Sequence, residues 1–67
     1  MNDYLYLITL QGNGQTVTYK GIHHQQPGET RERAFDSVLA WAMGQSGISS
    51  PAVQFFALEP NQLGGAA

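Results

Sequence analysis

Every basic side chain of the chain falls between positions 20 and 33: Lys20, His23, His24, Arg31 and Arg33. The last two stand where a helix begins, in the stretch HHQQPGETRERAF (23–35). These residue types can hold an anion. The first N–H groups of a helix have no partner within it and carry partial positive charge, and arginine offers a planar fork of donors. Lys20, His23, His24, Thr30, Arg31 and Arg33 are therefore the candidate anion-binding or nucleic-acid-binding set. The plainer reading has Arg31 and Arg33 solvated and paired locally with Glu29 or Asp36. Arginine in a first helical turn opposes the macrodipole at a cost of about 0.3–1 kcal/mol each. That is too little to decide between the two readings.

Other chemistry has less to work with. The chain has no cysteine, which excludes disulfides and thiolate zinc sites. His23 and His24 are adjacent, so in an extended segment they point opposite ways and rarely share one metal. No H-x-x-x-H spacing supports them. Ser37, Ser46, Ser49 and Ser50 lack a nucleophile-elbow context. QGNGQ (11–15) is too short for a dinucleotide fingerprint and opens no helix. The expectation is a non-enzymatic protein without cofactor or metal. Nucleic acid is the alternative: there is no RNP-like pattern, no second helix and only three Lys/Arg, but a dimer would double the basic segment.

The elements that position these residues read as β-β-α-β. Tyr4–Leu10 (YLYLITL) is rich in strand formers and apolar on both alternating sets, as in a strand covered on both sides. Asn13-Gly14 is a strong hairpin signal, because a type I′ turn needs positive φ at both central residues. Thr16–Ile22 is the returning strand, and His23–Glu29 is read as a loop. Over Thr30–Met43 the helical period gathers Phe35, Val38, Leu39, Ala42 and Met43 on one stripe, with Arg33, Asp36, Ser37 and Ala40 opposite. Thr30 suits the N-cap and Gly44 a left-handed C-terminal cap. Ala52–Leu58 is the third strand. The expected fold is α+β: a three-stranded, mainly antiparallel sheet of order 2-1-3 with one helix on one face. Residues 1–60 form the single domain and 61–67 a flexible tail.

That architecture leaves an apolar surface. A two-residue turn sets Leu10 opposite Val17 and Ile8 opposite Tyr19, so Tyr6, Ile8, Leu10, Val17 and Tyr19 face the helix. Leu5, Leu7, Thr9, Thr18, Lys20 and Ile22 then line the other side. In the third strand Val53 and Phe55 are expected on one face and Phe56 and Leu58 on the other. One helix covers one face. The chain is only 12% charged, against the 25–35% typical of designed surfaces, so part of its surface is apolar or neutral. A homodimer through the sheet is the expectation, with another protein as partner, a ligand groove, or a face simply left exposed as the alternatives. The candidate interface is Leu5, Leu7, Ile22, Phe56 and Leu58, with Trp41 as an anchor on the helix. A net charge of −2 exerts no global pull toward nucleic acid or an anionic membrane. No apolar run is long enough to span a bilayer, and MNDYLYLITL lacks the basic flank of a signal peptide, so a cytoplasmic location is expected.

Three motifs, YLYLITLQ (4–11), PGETR (27–31) and FFALEPNQL (55–63), carry a resemblance over nearly the whole length. The chain resembles short uncharacterised proteins of actinobacterial genomes and their integrated mobile elements. That resemblance implies an association with mobile elements and no activity. The β-β-α opening and Leu63-Gly64-Gly65 also resemble ubiquitin-like β-grasp carriers. As a carrier the chain would need Ala66-Ala67 removed by proteolysis, and it lacks room for that family's later strand.

Overall fold

The computed structural model describes residues 3–61. Its elements are β1 (Asp3–Gly12), β2 (Gln15–His24), α1 (Arg31–Ser46) and β3 (Ala52–Pro60). The sheet order is β2-β1-β3 and both pairings are antiparallel, so the most apolar strand is central. The hairpin closes at Asn13 (φ 53°) and Gly14 (φ 75°), the two positive values that a type I′ turn requires. That turn fixes the register: Leu10 opposes Val17, Ile8 opposes Tyr19 and Leu5 opposes Ile22.

The core follows from this register. Ile8 and Leu10 are fully buried under α1, and Tyr6 nearly so. Val17 and Tyr19 from β2 and Phe56 and Leu58 from β3 pack around them. On the helix the buried residues are Ala34, Val38 and Ala42, and two of the three are alanine. Small side chains there let the helix approach the sheet, while Phe35, Leu39 and Met43 pack along the flanks. Trp41 rests edge-on against Tyr6 and Tyr19, with ring centres 6.1 and 5.2 Å away. Phe35 meets Phe56 edge-on at 4.8 Å. Each fully buried Ile or Leu contributes roughly 1.5–3 kcal/mol, a large share of what so small a domain can gather.

Three boundaries differ from the sequence expectation. His23 and His24 lie on β2, not in a loop, and Asn61 still donates its N–H to the Asp3 carbonyl at 2.9 Å. The rest of the expected tail lies outside the described residues. The helix runs past Gly44 and ends at Gly47, which takes the left-handed conformation (φ 77°) and donates to the Met43 carbonyl at 2.9 Å. The reason is Ile48. Placed just beyond the left-handed cap, it turns back into the core and is 1% exposed. Ser46 secures the exit by donating to the Met43 carbonyl and accepting from the Ile48 N–H.

A register shift in β3 changes its facing. Thr9 opposes Phe55 but Leu10 opposes Val53, so Gln54 is the extra residue of a bulge. Val53 and Phe55 therefore do not share a face. Phe56 opposes Ile8 and Leu58 opposes Tyr6, which places both on the helix-covered side.

Glycines separate crowded from open positions. A Cβ at Gly21 would lie 2.5–2.9 Å from the Tyr6 ring and hydroxyl, and Tyr6 is held by the core. At Gly44, on the exposed side of the helix, a Cβ meets nothing within 4 Å. Gly21→Ala is expected to destabilise by about 1–3 kcal/mol through overpacking. Gly44→Ala is expected to stabilise by about 0.5–1 kcal/mol. Thermal melts of the two variants should move in opposite directions.

Candidate functional site

The basic segment is dispersed by the strand it sits on. Successive residues of β2 point to opposite faces, so His23 turns to the helix side and His24 to the uncovered side. His23 Nε2 lies 2.8 Å from Glu29 Oε1, and both side chains are largely buried, 14% and 10% exposed. The same carboxylate oxygen accepts the Gln26 N–H at 3.2 Å, and the Gln26 carbonyl accepts from the Glu29 N–H at 3.0 Å. His24 Nδ1 lies 2.8 Å from Asp3 Oδ1 in a much more exposed pair. Lys20 lies opposite Leu7, on the uncovered face.

Thr30 caps the helix with extended backbone (φ −91°, ψ 165°), its hydroxyl accepting from the Arg33 N–H at 3.2 Å. Arg31 holds its guanidinium 5.1 Å above the centre of the Phe56 ring, a cation–π contact worth about 0.5–1 kcal/mol at an exposed site. A pocket of about 200 Å³ lies between this helix start and the sheet end, lined by Tyr4, His23, Glu29, Arg31, Ala34 and Leu58. A shallower one of about 370 Å³ runs past Pro27 and Gly28 to Arg33, Asp36 and Ser37. Of the candidate anion set, His23, Thr30 and Arg31 line one pocket, Arg33 the other, and Lys20 and His24 neither.

Glu29, beside the cap, and Glu32, in the first turn, supply negative charge at this helix start. The His23 hydrogen bond lowers the Glu29 carboxyl below the ordinary 4.5, against some burial, with help from the Gln26 N–H and the charges of His23 and Arg33. A second anion brought here would face that carboxylate. In the sequence Glu29 reads only as a local partner for Arg31 or Arg33, because its contact with His23 depends on the tight turn at Pro27-Gly28. Among the described residues no group of three or more His, Cys, Asp or Glu is placed to hold a metal ion.

The other candidate surface is the uncovered face of the sheet. Reading across the strands, its rows are Ile22, Leu5 and Glu59; then Lys20, Leu7 and Ala57; then Thr18, Thr9 and Phe55. Ile22 is 42% exposed and Phe55 54%. No element of the described chain lies over them. The Thr9 and Thr18 hydroxyls pair at 2.8 Å, and Gln54 donates to Gln11 Oε1 at 2.8 Å, bridging β3 to β1 at the bulge. Leu5, Leu7 and Ile22 stand where the sequence places them. Phe56 and Leu58 leave this surface for the core, and Phe55 and Ala57 take their place. The register with β1 decides this exchange, and alternation within AVQFFAL cannot reveal it; the bulge at Gln54 separately turns Val53 away from Phe55. Trp41, 44% exposed, lies on the helix side, capping the two tyrosines.

No helix among the described residues is long and apolar enough to cross a membrane. No family model matches the chain, and no curated protein and no solved structure is significantly similar to it.

The Glu29 pairing has a pH signature with a definite sign. A carboxyl lowered by folding adds stability that is fully present above its unfolded value. It is lost as pH falls through the folded one. Melts of the protein and of Glu29→Gln from neutral pH to pH 3 should show the parent more stable at neutral pH. The gap should close below about 4.5, where protonation removes the charge that the glutamine variant lacks at every pH. A gap of constant size would remove the ionised carboxylate as its source.

Proposed function

We propose that this chain is a small non-enzymatic interaction module of the cytoplasm, working as a homodimer formed through the open face of its sheet and serving a regulatory role. The observation that carries this reading is the band of Leu5, Leu7, Ile22, Phe55 and Ala57 on a face that no element among the described residues covers. A contiguous apolar patch on a charge-poor domain is stabilised by removal from water, at roughly 25 cal/mol per Å² buried. The domain is small enough for such burial to matter to its folding. The nucleic-acid alternative draws less support, because the basic residues fall on different faces and both histidines are engaged by acids. The carrier alternative turns on Leu63–Ala67, which lie outside the described residues.

Sedimentation across a dilution series from millimolar to low micromolar chain tests the reading. The expected result is a monomer–dimer equilibrium that Leu7→Lys and Phe55→Lys each shift to monomer, with an unchanged far-ultraviolet circular dichroism spectrum. A folded parent chain that sediments as a monomer throughout would sink it. Gel retardation at low salt is expected to show no shift of DNA or RNA. A shift weakened by salt and by Arg31→Ala/Arg33→Ala would favour the nucleic-acid alternative instead.

A further inference from the structure

We infer that two copies of this chain pack face to face about a two-fold axis running along the strands, so that Lys20 of each copy lies against Glu59 of the other. This rests on the self-association proposed above and adds its geometry. The open face carries four charged or titratable groups, and they are unequally placed. Asp3 and His24 neutralise one another at 2.8 Å. Lys20 stands on β2, at one edge of the sheet, and Glu59 on β3, at the other edge. Neither has an ion-pair partner among the described residues. Lys20 is also the only lysine in the chain. One edge is thus left positive and the opposite edge negative, with Leu5 and Leu7 between them on β1.

Such a face is self-complementary under one operation in particular. A two-fold axis along the strands, lying between two stacked sheets, carries β2 of one copy over β3 of the other and sets β1 over β1. Leu5 and Leu7 then meet their own copies on the axis. Lys20 lies over Ala57, one row away from Glu59. With sheets about 10 Å apart and rows about 7 Å apart, a lysine and a glutamate side chain can close that gap. A two-fold axis across the strands instead puts β2 on β2 and β3 on β3. That brings lysine toward lysine and glutamate toward glutamate, leaving both charges uncompensated beside an apolar contact. In the first arrangement the rows flanking Lys20 place Ile22 over the partner's Glu59 and Phe55 over the partner's Thr18, so the apolar contact of this geometry is made chiefly by Leu5 and Leu7 on the axis.

Charge reversal separates these possibilities. The association constants of the parent chain, Lys20→Glu, Glu59→Lys and the double variant would be measured by sedimentation equilibrium at low salt. Circular dichroism would check that each remains folded. Both positions lie on the exposed side of edge strands, so the fold should tolerate the changes. Each single reversal is expected to weaken the dimer by about tenfold, since the symmetry repeats every exposed pair twice. The double reversal should restore it to within about threefold of the parent. A parent dimer indifferent to the single reversals, or a double variant no tighter than the singles, would overturn this geometry while leaving self-association in place. A parent chain that is monomeric at every concentration overturns the geometry together with the reading it rests on.

Discussion

One helix of sixteen residues has to cover a sheet of three strands, and it can lie on only one side. The central strand makes this a constraint on everything else, because β1 is apolar on both of its alternating faces. On the covered side Tyr6, Ile8 and Leu10 are removed from water. On the other side, among the described residues, Leu5 and Leu7 are shielded only by their neighbours on the same surface, Ile22 and Ala57 among them. The described residues are therefore half of a sandwich in the physical sense: one complete apolar layer, and one face shaped like a layer with none of them over it.

The covered side is completed with few residues. Ala34 and Ala42 bring the helix axis down onto the sheet, and the larger Phe35, Leu39 and Met43 fill the space at its flanks. Trp41 and the Phe35–Phe56 pair close the two sides of this layer with edge-on aromatic contacts. At the far end Ile48 fills the gap beside Gly12, where a Cβ would lie 2.5 Å from its Cγ2 atom. The connection from α1 to β3 is thus part of the core, which is why the left-handed turn has to fall at Gly47 and not at Gly44.

The legible part of the fold is what local chemistry decides. Asn13-Gly14 has few conformations open to it, and once they fix the turn the register of β1 and β2 follows residue by residue. The N-cap at Thr30 and the apolar stripe of α1 are equally local. Three features lie beyond that reach. The end of α1 is set by the burial of Ile48, which depends on a gap in the sheet that no stretch of sequence describes. The facing of β3 is set by its register with β1 and by a bulge at Gln54 that turns Val53 away from Phe55, the bulge residue meeting Gln11, 43 positions earlier. His23 and His24 read as loop residues because His and Gln are poor strand formers. Pairing with Tyr4 and Asp3 overrides that preference.

The helix start shows how far residue types alone can mislead about chemistry. Two histidines and two arginines at a first turn have the composition of a phosphate site. The structure meets the same electrostatic demand internally. Glu29 sits next to the cap residue Thr30, largely buried, with His23 and the Gln26 N–H as its partners. Arg31 directs its charge at the face of Phe56. Thr30 takes up the Arg33 N–H that a ligand would otherwise find free. An anion arriving there would have to displace or repel a carboxylate already held below its ordinary pKa by those contacts. The uncovered sheet face has no such internal answer. Its apolar rows can lose their contact with water only against a surface supplied from outside the described chain, and its unpaired charges stand at opposite edges of the sheet. The molecule's unmet physical demand therefore lies on the sheet, away from its most chemically suggestive residues.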